Sequence, residues 1–321
     1  LGAESRLESF IFSGDQEYIF AFQNTVLKIY STAGVLLQTL TSQPWDTADL
    51  FELNVAQKKD VMIVAHEDFM PRVITRTGAT TFTSAALSFD SSVNAEKTYQ
   101  PYFKFAADTI TLDINSITKG DTNVTCTTSA SYFTSAYVGT TIRYMGAELD
   151  ITAYTNATTV TATLKEVPIM ELDEDPFQTA AGSATVTVTH VAHGFSTGAS
   201  ITIAGAESIF DTDGEGIAYS NLITVIDDNH YQFPSGSGDA ATESVDGGGV
   251  RVTISGHPAT RDWDEQVMSP VNGYPKAVCF HEQRLFFGGV TNLPDGIQAS
   301  KVSQFFNFDV GEGEDADSVQ I

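Results

Sequence analysis

Basic side chains are scarce in this sequence. Its 321 residues hold 16 Lys and Arg against 41 Asp and Glu, a formal net charge of -25. A protein that grips nucleic acid through its phosphates displaces counterions with clustered Lys and Arg, and no such cluster occurs, so an ordinary polyanion binder is excluded. Cysteine is rarer still. Cys126 and Cys279 stand 153 residues apart, and with Cys279 inside the apolar run Ala277-Val278-Cys279-Phe280 both are expected to be packed thiols rather than a disulfide pair. No apolar run approaches the ~18 residues of a bilayer span, so no membrane-spanning segment is expected. The chain opens on Leu1 rather than Met, without the basic start and apolar region of a signal peptide; part of the natural N-terminus is expected to precede Leu1. Helical periodicity is also missing beyond two turns, so helices should be few and short.

What is present is a large apolar fraction, 42%, with 11% aromatics and only 18% charged residues. That combination excludes a disordered acidic tail and gives a globular chain long enough for two or three domains. Threonine is unevenly spread: 22 of its 39 copies fall between positions 109 and 202. Charge shifts at similar places, since residues 106–260 hold 19 acids and 4 bases while the flanks together hold 22 and 12. The middle reads as an insertion rich in β-branched, strand-forming residues.

The flanks carry an internal repeat of short strands and turns. Tyr18 to Phe22, Val26 to Tyr30 and Val35 to Leu40 form a first meander; Leu50 to Val55, Val61 to Ala65, Arg72 to Thr75 and Phe82 onward form a second. A third follows the middle region as Lys276 to His281, Leu285 to Gly289, Ile297 to Ser300 and Phe305 to Phe308. Units of ~40 to 45 residues with four strands each are the signature of propeller blades, and a closed propeller needs at least about four. The expected fold is therefore all-β: an incomplete β-propeller-like platform of four-stranded meanders with two inserted small β-barrel or sandwich modules. An open meander or sandwich with the same spacing is the alternative. Boundaries are placed at residues 1–105 for the first part of the platform, 106–170 and 171–260 for the two modules, and 261–321 for the last blade. The acidic stretch Glu171 to Pro176 reads as a linker between the modules.

Candidate chemistry is thin. Asp211-Thr212-Asp213-Gly214-Glu215-Gly216 offers oxygen ligands on a glycine-turned loop, but an EF-hand would need a Glu at the twelfth position, where Leu222 stands. His190 and His193 are three apart on an extended segment, which puts their side chains on opposite faces, without a nearby third ligand for zinc. Asp262-Trp263-Asp264-Glu265 sets carboxylates beside an aromatic able to stack on a sugar, and glycosidases work with two carboxylates flanking the bond, although adjacency does not fix the separation that mechanism needs; Trp263 as a chain anchor is the simpler reading. Asp309 to Asp317 is either a solvated loop or a line of charge facing a channel, and Asn123 and Asn156 sit in glycosylation-type triplets that a Thr-rich chain meets by chance. No nucleophile elbow, P-loop or dinucleotide fingerprint occurs. No catalytic residue, cofactor or metal ligand is assigned, and an enzyme is not expected.

Several motifs in fixed order nevertheless carry a resemblance. Gln57, Asp60, Val61 to His66, Pro71-Arg72, Ile74, Arg76 and Gly78, then Gly273-Tyr274-Pro275, Phe280, Gln283 to Gly289, Ser300-Lys301-Val302 and Phe306-Asn307-Phe308, with Arg6-Leu7, Phe10 and Phe12-Ser13 at the start, resemble the tail nozzle (tail tubular) proteins of short-tailed bacteriophages over about half the chain. The second module, from His193-Gly194-Phe195 to Tyr231-Gln232-Phe233, is similar to a small β-barrel inserted in many phage structural proteins and named after the first catalytic-cysteine half-domain of ubiquitin-activating enzymes. The resemblance implies a structural protein of the virion tail without enzymatic activity. It also implies a homo-hexameric ring below the tail adaptor ring, with tail fibres as further possible partners and a lumen through which phage DNA passes transiently during genome ejection. Members begin before the equivalent of Leu1 and continue past that of Ile321, in keeping with three blades where a closed propeller needs at least about four. A second function class is a receptor- or glycan-binding module of a tail appendage, with the Thr-rich modules and Trp263 as its surface.

Overall fold

The computed structural model describes residues 4–93, 95–191, 193–206, 217–234, 246–311 and 315–321. Among them there is no α-helix; the helical pieces are two 3₁₀ turns, Asp49–Phe51 and Ser135–Tyr137, and all sheet pairings are antiparallel. The fold class is all-β. The chain divides into two compact units, residues 1–103 with 266–321, and residues 104–265.

The first unit is three four-stranded meanders. β1 (Arg6–Ser13), β2 (Gln16–Gln23), β3 (Val26–Ser31) and β4 (Leu36–Leu40) form one; β5 (Asn54–Lys58), β6 (Val61–His66), β7 (Phe69–Arg76) and β8 (Phe82–Ala86) the next. β9 (Tyr102–Phe103) ends the first segment of the unit, and the third sheet is β25 (Pro275–His281), β26 (Arg284–Val290), β27 (Leu293–Ala299) and β28 (Val319–Gln320). Two of the expected strands come out differently. Leu50 to Val55 begins as a 3₁₀ turn whose Leu50 plugs the core, and the strand starts only at Asn54. The fourth strand of the third sheet is Val319–Gln320 rather than Phe305 to Phe308, where Phe308 is instead buried against Phe287 and Phe89.

Side-chain alternation decides the stacking, because successive residues of a strand face opposite sides. In β6, Met62 and Val64 join Phe10, Phe20, Phe22, Leu27 and Ile29 of the first sheet in one core, whereas Ile63 and Ala65 join Val278, Leu285 and Phe287 of the third sheet in another. Both faces of the middle sheet are therefore buried. Phe10 and Phe20 stack at 4.9 Å, and Phe82 of the middle sheet meets both edge-on. Trp45, in the connection, is fully buried and its indole N–H donates to the Gln23 carbonyl at 3.0 Å.

Two glutamines then act as rungs between sheets. Gln38 pairs with the backbone of Phe82, donating at 2.9 Å and accepting at 2.6 Å, and Gln57 does the same with Ile11 at 2.8 and 3.0 Å. Each thus satisfies backbone groups where the sheets meet. Arg76 pairs with Asp60 at 3.1 Å and covers the Phe12 ring at 4.2 Å. Cys279, expected to be buried, faces outward from β25 and is exposed; Cys126 is buried, which pushes its thiol up to about 12. Neither is in a disulfide.

The second unit comprises two groups of sheets. In the first, β10 (Leu112–Ile114), β11 (Val124–Thr128), β12 (Thr141–Tyr144), β13 (Ala147–Asn156) and β14 (Thr159–Leu164) pair in the order β10-β11-β14-β13-β12, followed by β24 (Trp263–Gln266). In the second, β15 (Met170–Glu171), β18 (Ser200–Ala206), β19 (Ile217–Leu222) and β23 (Thr253–Ser255) form one sheet. β16 (Phe177–Thr179), β17 (Thr185–Thr189), β20 (Thr224–Asp227), β21 (His230–Pro234) and β22 (Asp246–Gly247) form the other. The two sheets share one core of Phe177, Val186, Val188, Ile203, Tyr231, Phe233 and Ile254. Among the described residues they do not close into a barrel, so the small β-barrel expected for residues 171–260 is replaced by two separate sheets packed on one core. The linker expected at Glu171 to Pro176 starts inside β15. Threonine explains itself in β14 and β17, where it alternates with buried Val, Ala or Leu on the outward side.

Replacing Phe20 by Ala removes a fully buried ring from the core shared by two sheets and is expected to destabilise the chain by about 3–5 kcal/mol, read as a lowered urea midpoint. The same substitution at Phe51, exposed on its 3₁₀ turn, should leave that midpoint within about 0.5 kcal/mol equivalents of the parent.

Candidate functional site

The inserted unit holds an open hollow of about 900 Å3 whose lining includes Met145, Met170, His190, Phe195, Asp228 and Asp262. The turn His193-Gly194-Phe195 forms part of its wall. Gly194 sits at φ +66, and a Cβ there would lie 2.8 Å from the Ala259 carbonyl, so the wall closes only on glycine. His193 is buried and both its ring nitrogens are used: Nδ1 accepts the Phe195 N–H at 2.9 Å and Nε2 donates to the Asp227 carbonyl at 2.9 Å. His190 is expected on the opposite face, but β17 ends at Thr189, and the His190 ring lies 6.0 Å from that of His193, packs with it on Tyr231 and has Nδ1 3.4 Å from the Tyr231 hydroxyl. Burial first, and His193 second, lower its pKa to about 4, so it is neutral. These histidines buttress the module. With no lone pair left on His193, they do not make a zinc pair.

Alternation along β24 separates the carboxylates of Asp262 to Glu265. Trp263 and Glu265 face inward and are buried. The Trp263 indole donates to the Ile110 carbonyl at 3.1 Å with its ring edge-on to Tyr132, so it anchors the strand and is not open to a stacking sugar. Glu265 accepts the hydroxyls of Tyr132 and of Tyr137, the latter at 2.8 Å, and burial with the Glu265 charge raises both phenols well above their ordinary range. Asp264 faces the other way and forms a two-point ion pair with Arg143, Nε to Oδ1 at 2.8 Å. Asp262 borders the hollow, its carboxyl raised by burial and by Asp264. Asp264 and Glu265 thus lie on opposite faces of one strand and do not flank a common bond, as paired glycosidase carboxylates must.

The remaining candidates resolve locally. Asp211 to Gly216 lies outside the described residues. Asn123 and Asn156 are exposed, and Asn156 Oδ1 accepts from the Thr158 N–H and hydroxyl, closing the β13–β14 turn. Of the acidic end, Asp309 and Asp317 both pair with Lys301, at 3.5 and 3.0 Å, and Arg284 donates to the carbonyls of Asp315 and Asp317. This part of the segment is tied down by cations rather than drawn out as free charge. In the first unit, Asp49, His66 and Asp68 bring ligand-type atoms within 4.8 Å of one another. That grouping draws on two separate segments, so no local spacing in the sequence announces it.

Because His190 is held neutral below its ordinary pKa, the stability it contributes is complete above about pH 6.5 and is lost as the pH falls toward about 4. A His190→Gln variant is expected to show a flatter decline of the urea midpoint across that window than the parent; parallel declines would refute the assignment.

No family model and no curated protein matches the chain. Among solved structures it is similar in part to the phage phi92 endosialidase, with 9% identity and a TM-score of 0.25 over 84% of this chain and 46% of that one. The chain thus spans less than half the length of that protein.

Proposed function

We propose that this chain is a structural subunit of a phage tail nozzle ring, forming with further copies a conduit for genome ejection. The observation that carries the reading is the stack of three four-stranded meanders whose middle sheet buries both faces, the packing by which propeller blades hide their surfaces. The residues that carry the family resemblance serve that stack: Gln57 bridges to Ile11, Arg76 holds Asp60, and Arg284 donates to the Ser300 carbonyl at 2.7 Å. Under this reading the partners are other copies of the chain in a hexamer, the tail adaptor ring and tail fibres, and the place of action is the virion tail. The acidic excess suits a conduit, since like charge keeps passing DNA from long-lived phosphate contacts, over a range of ~8 Å at physiological salt.

The open hollow of the inserted unit favours a second reading, a receptor- or glycan-binding module of a tail appendage. Trp263 no longer supports it, because the ring is buried. Light scattering and electron-microscope class averages of the full-length protein, with and without the adaptor, separate the two. A sixfold ring with an open axis that forms or tightens on the adaptor is expected; a monomer or trimer indifferent to the adaptor, binding on a glycan array, would replace the nozzle reading with the second.

A further inference from the structure

His66 ends β6 at a two-residue turn, Glu67-Asp68, that leads to Phe69. His66 is 3% exposed and its imidazole stacks on Phe69 at 5.3 Å. Its Nε2 is buried without a hydrogen-bond partner, an expensive state for a polar atom. That nitrogen is aimed at two carboxylates, with Glu52 Oε2 at 3.7 Å and Asp49 Oδ1 at 3.9 Å. Both arrive together because Asp49 and Glu52 are three residues apart across a 3₁₀ turn, in which such side chains eclipse. Asp49 Oδ2 is already held by the Asp46 N–H at 2.8 Å, which leaves Oδ1 for the imidazole.

These separations are too long for hydrogen bonds and about 0.5 Å wider than the roughly 3.3 Å edge between two ligands about 2.0 Å from one tetrahedral ion, a gap that binding would have to close. We propose that His66 Nε2, Asp49 and Glu52 bind one divalent transition-metal ion of the zinc class, with Asp68 orienting the imidazole. One neutral nitrogen and two carboxylates balance the charge of the ion, and water completes its shell. When Nε2 gives its lone pair to the metal, the ring proton resides on Nδ1. Asp68 Oδ2, 3.8 Å from Nδ1, takes that proton's hydrogen bond, replacing the long contact of 3.3 Å from the Asp68 N–H. This is the carboxylate–histidine–metal relay that fixes ring orientation at metal centres. Lys276, the nearby cation, is ion-paired with Glu67, which is not a ligand. The imidazole selects the metal class: clusters of carboxylates alone suit calcium or magnesium, while nitrogen favours zinc and its neighbours.

The site is independent of the nozzle reading and is tested on the purified full chain by zinc titration calorimetry and by the visible spectrum of added Co²⁺. One ion per chain is expected. Asp68→Asn should weaken it about 10- to 100-fold at unchanged stoichiometry, Glu52→Gln at least as much, and Asp49→Asn and His66→Gln should abolish it. Glu52 and Asp68 are exposed, so their variants keep the test decisive should His66→Gln fail to fold. Zinc binding that is absent in the parent, or unchanged in Glu52→Gln and Asp68→Asn, would overturn the site.

Discussion

The first unit depends on a sheet that has no outside. A single antiparallel meander can bury one face and wet the other, but β6 reads Val-Met-Ile-Val-Ala-His, apolar at successive positions, and its two residue sets enter different cores. Neither neighbouring sheet can be withdrawn without exposing one set. The first and third meanders therefore each share a core with the middle one, although 180 residues or more separate the third from it in sequence. That separation makes the contacts costly in loop entropy, yet the cost grows only logarithmically with length. A large folded insertion between the second and third meanders is tolerable for this reason.

The insertion must then carry its own core, and it does. Its second module is built on a core of Phe177, Tyr231, Phe233 and aliphatic residues. Its polar centre is just as self-contained. Glu265 is buried, which would be prohibitive for a lone carboxylate, but two tyrosine hydroxyls from the turn around Ser135–Tyr137 meet it. The segment that re-enters the platform is fixed by Trp263, Asp264 and Glu265 in three different ways: an indole hydrogen bond, an ion pair and a buried carboxylate. A motif that looked like chemistry is accounted for as an anchor.

Much of this architecture was legible in the sequence, because strand period and turn residues are local. The meanders, the threonine-rich insertion and the scarcity of helix follow from alternation within five to eight residues. What was illegible depended on contacts from afar. Leu50 has the apolar neighbours of a strand residue, and only the core waiting at Trp45 and Leu53 makes its segment a 3₁₀ turn. Phe305 to Phe308 has strand composition, yet the ladder position beside β27 is taken by Val319–Gln320. Cys279 sits in an apolar run whose parity puts it on the outer face. The grouping at His66 was illegible for the same reason, since the turn bearing Asp49 and Glu52 and the hairpin bearing His66 and Asp68 meet only in three dimensions.

An acidic chain poses a particular question about cations. With 41 acids and 16 bases, carboxylates outnumber the cations able to pair with them, and several cations are occupied: Arg76 with Asp60, Arg143 with Asp264, Lys165 with Asp150, Lys301 with Asp309 and Asp317. Mobile counterions neutralise the exposed remainder weakly and without geometry, and salt screens what is left over. A carboxylate cluster on such a surface is therefore uninformative by itself. The group at Asp49 and Glu52 differs in one physical respect: the atom between the carboxylates is a buried imidazole nitrogen that water cannot readily serve and no protein group reaches. Desolvation of that nitrogen, rather than the density of negative charge around it, separates a coordination site from an acidic surface.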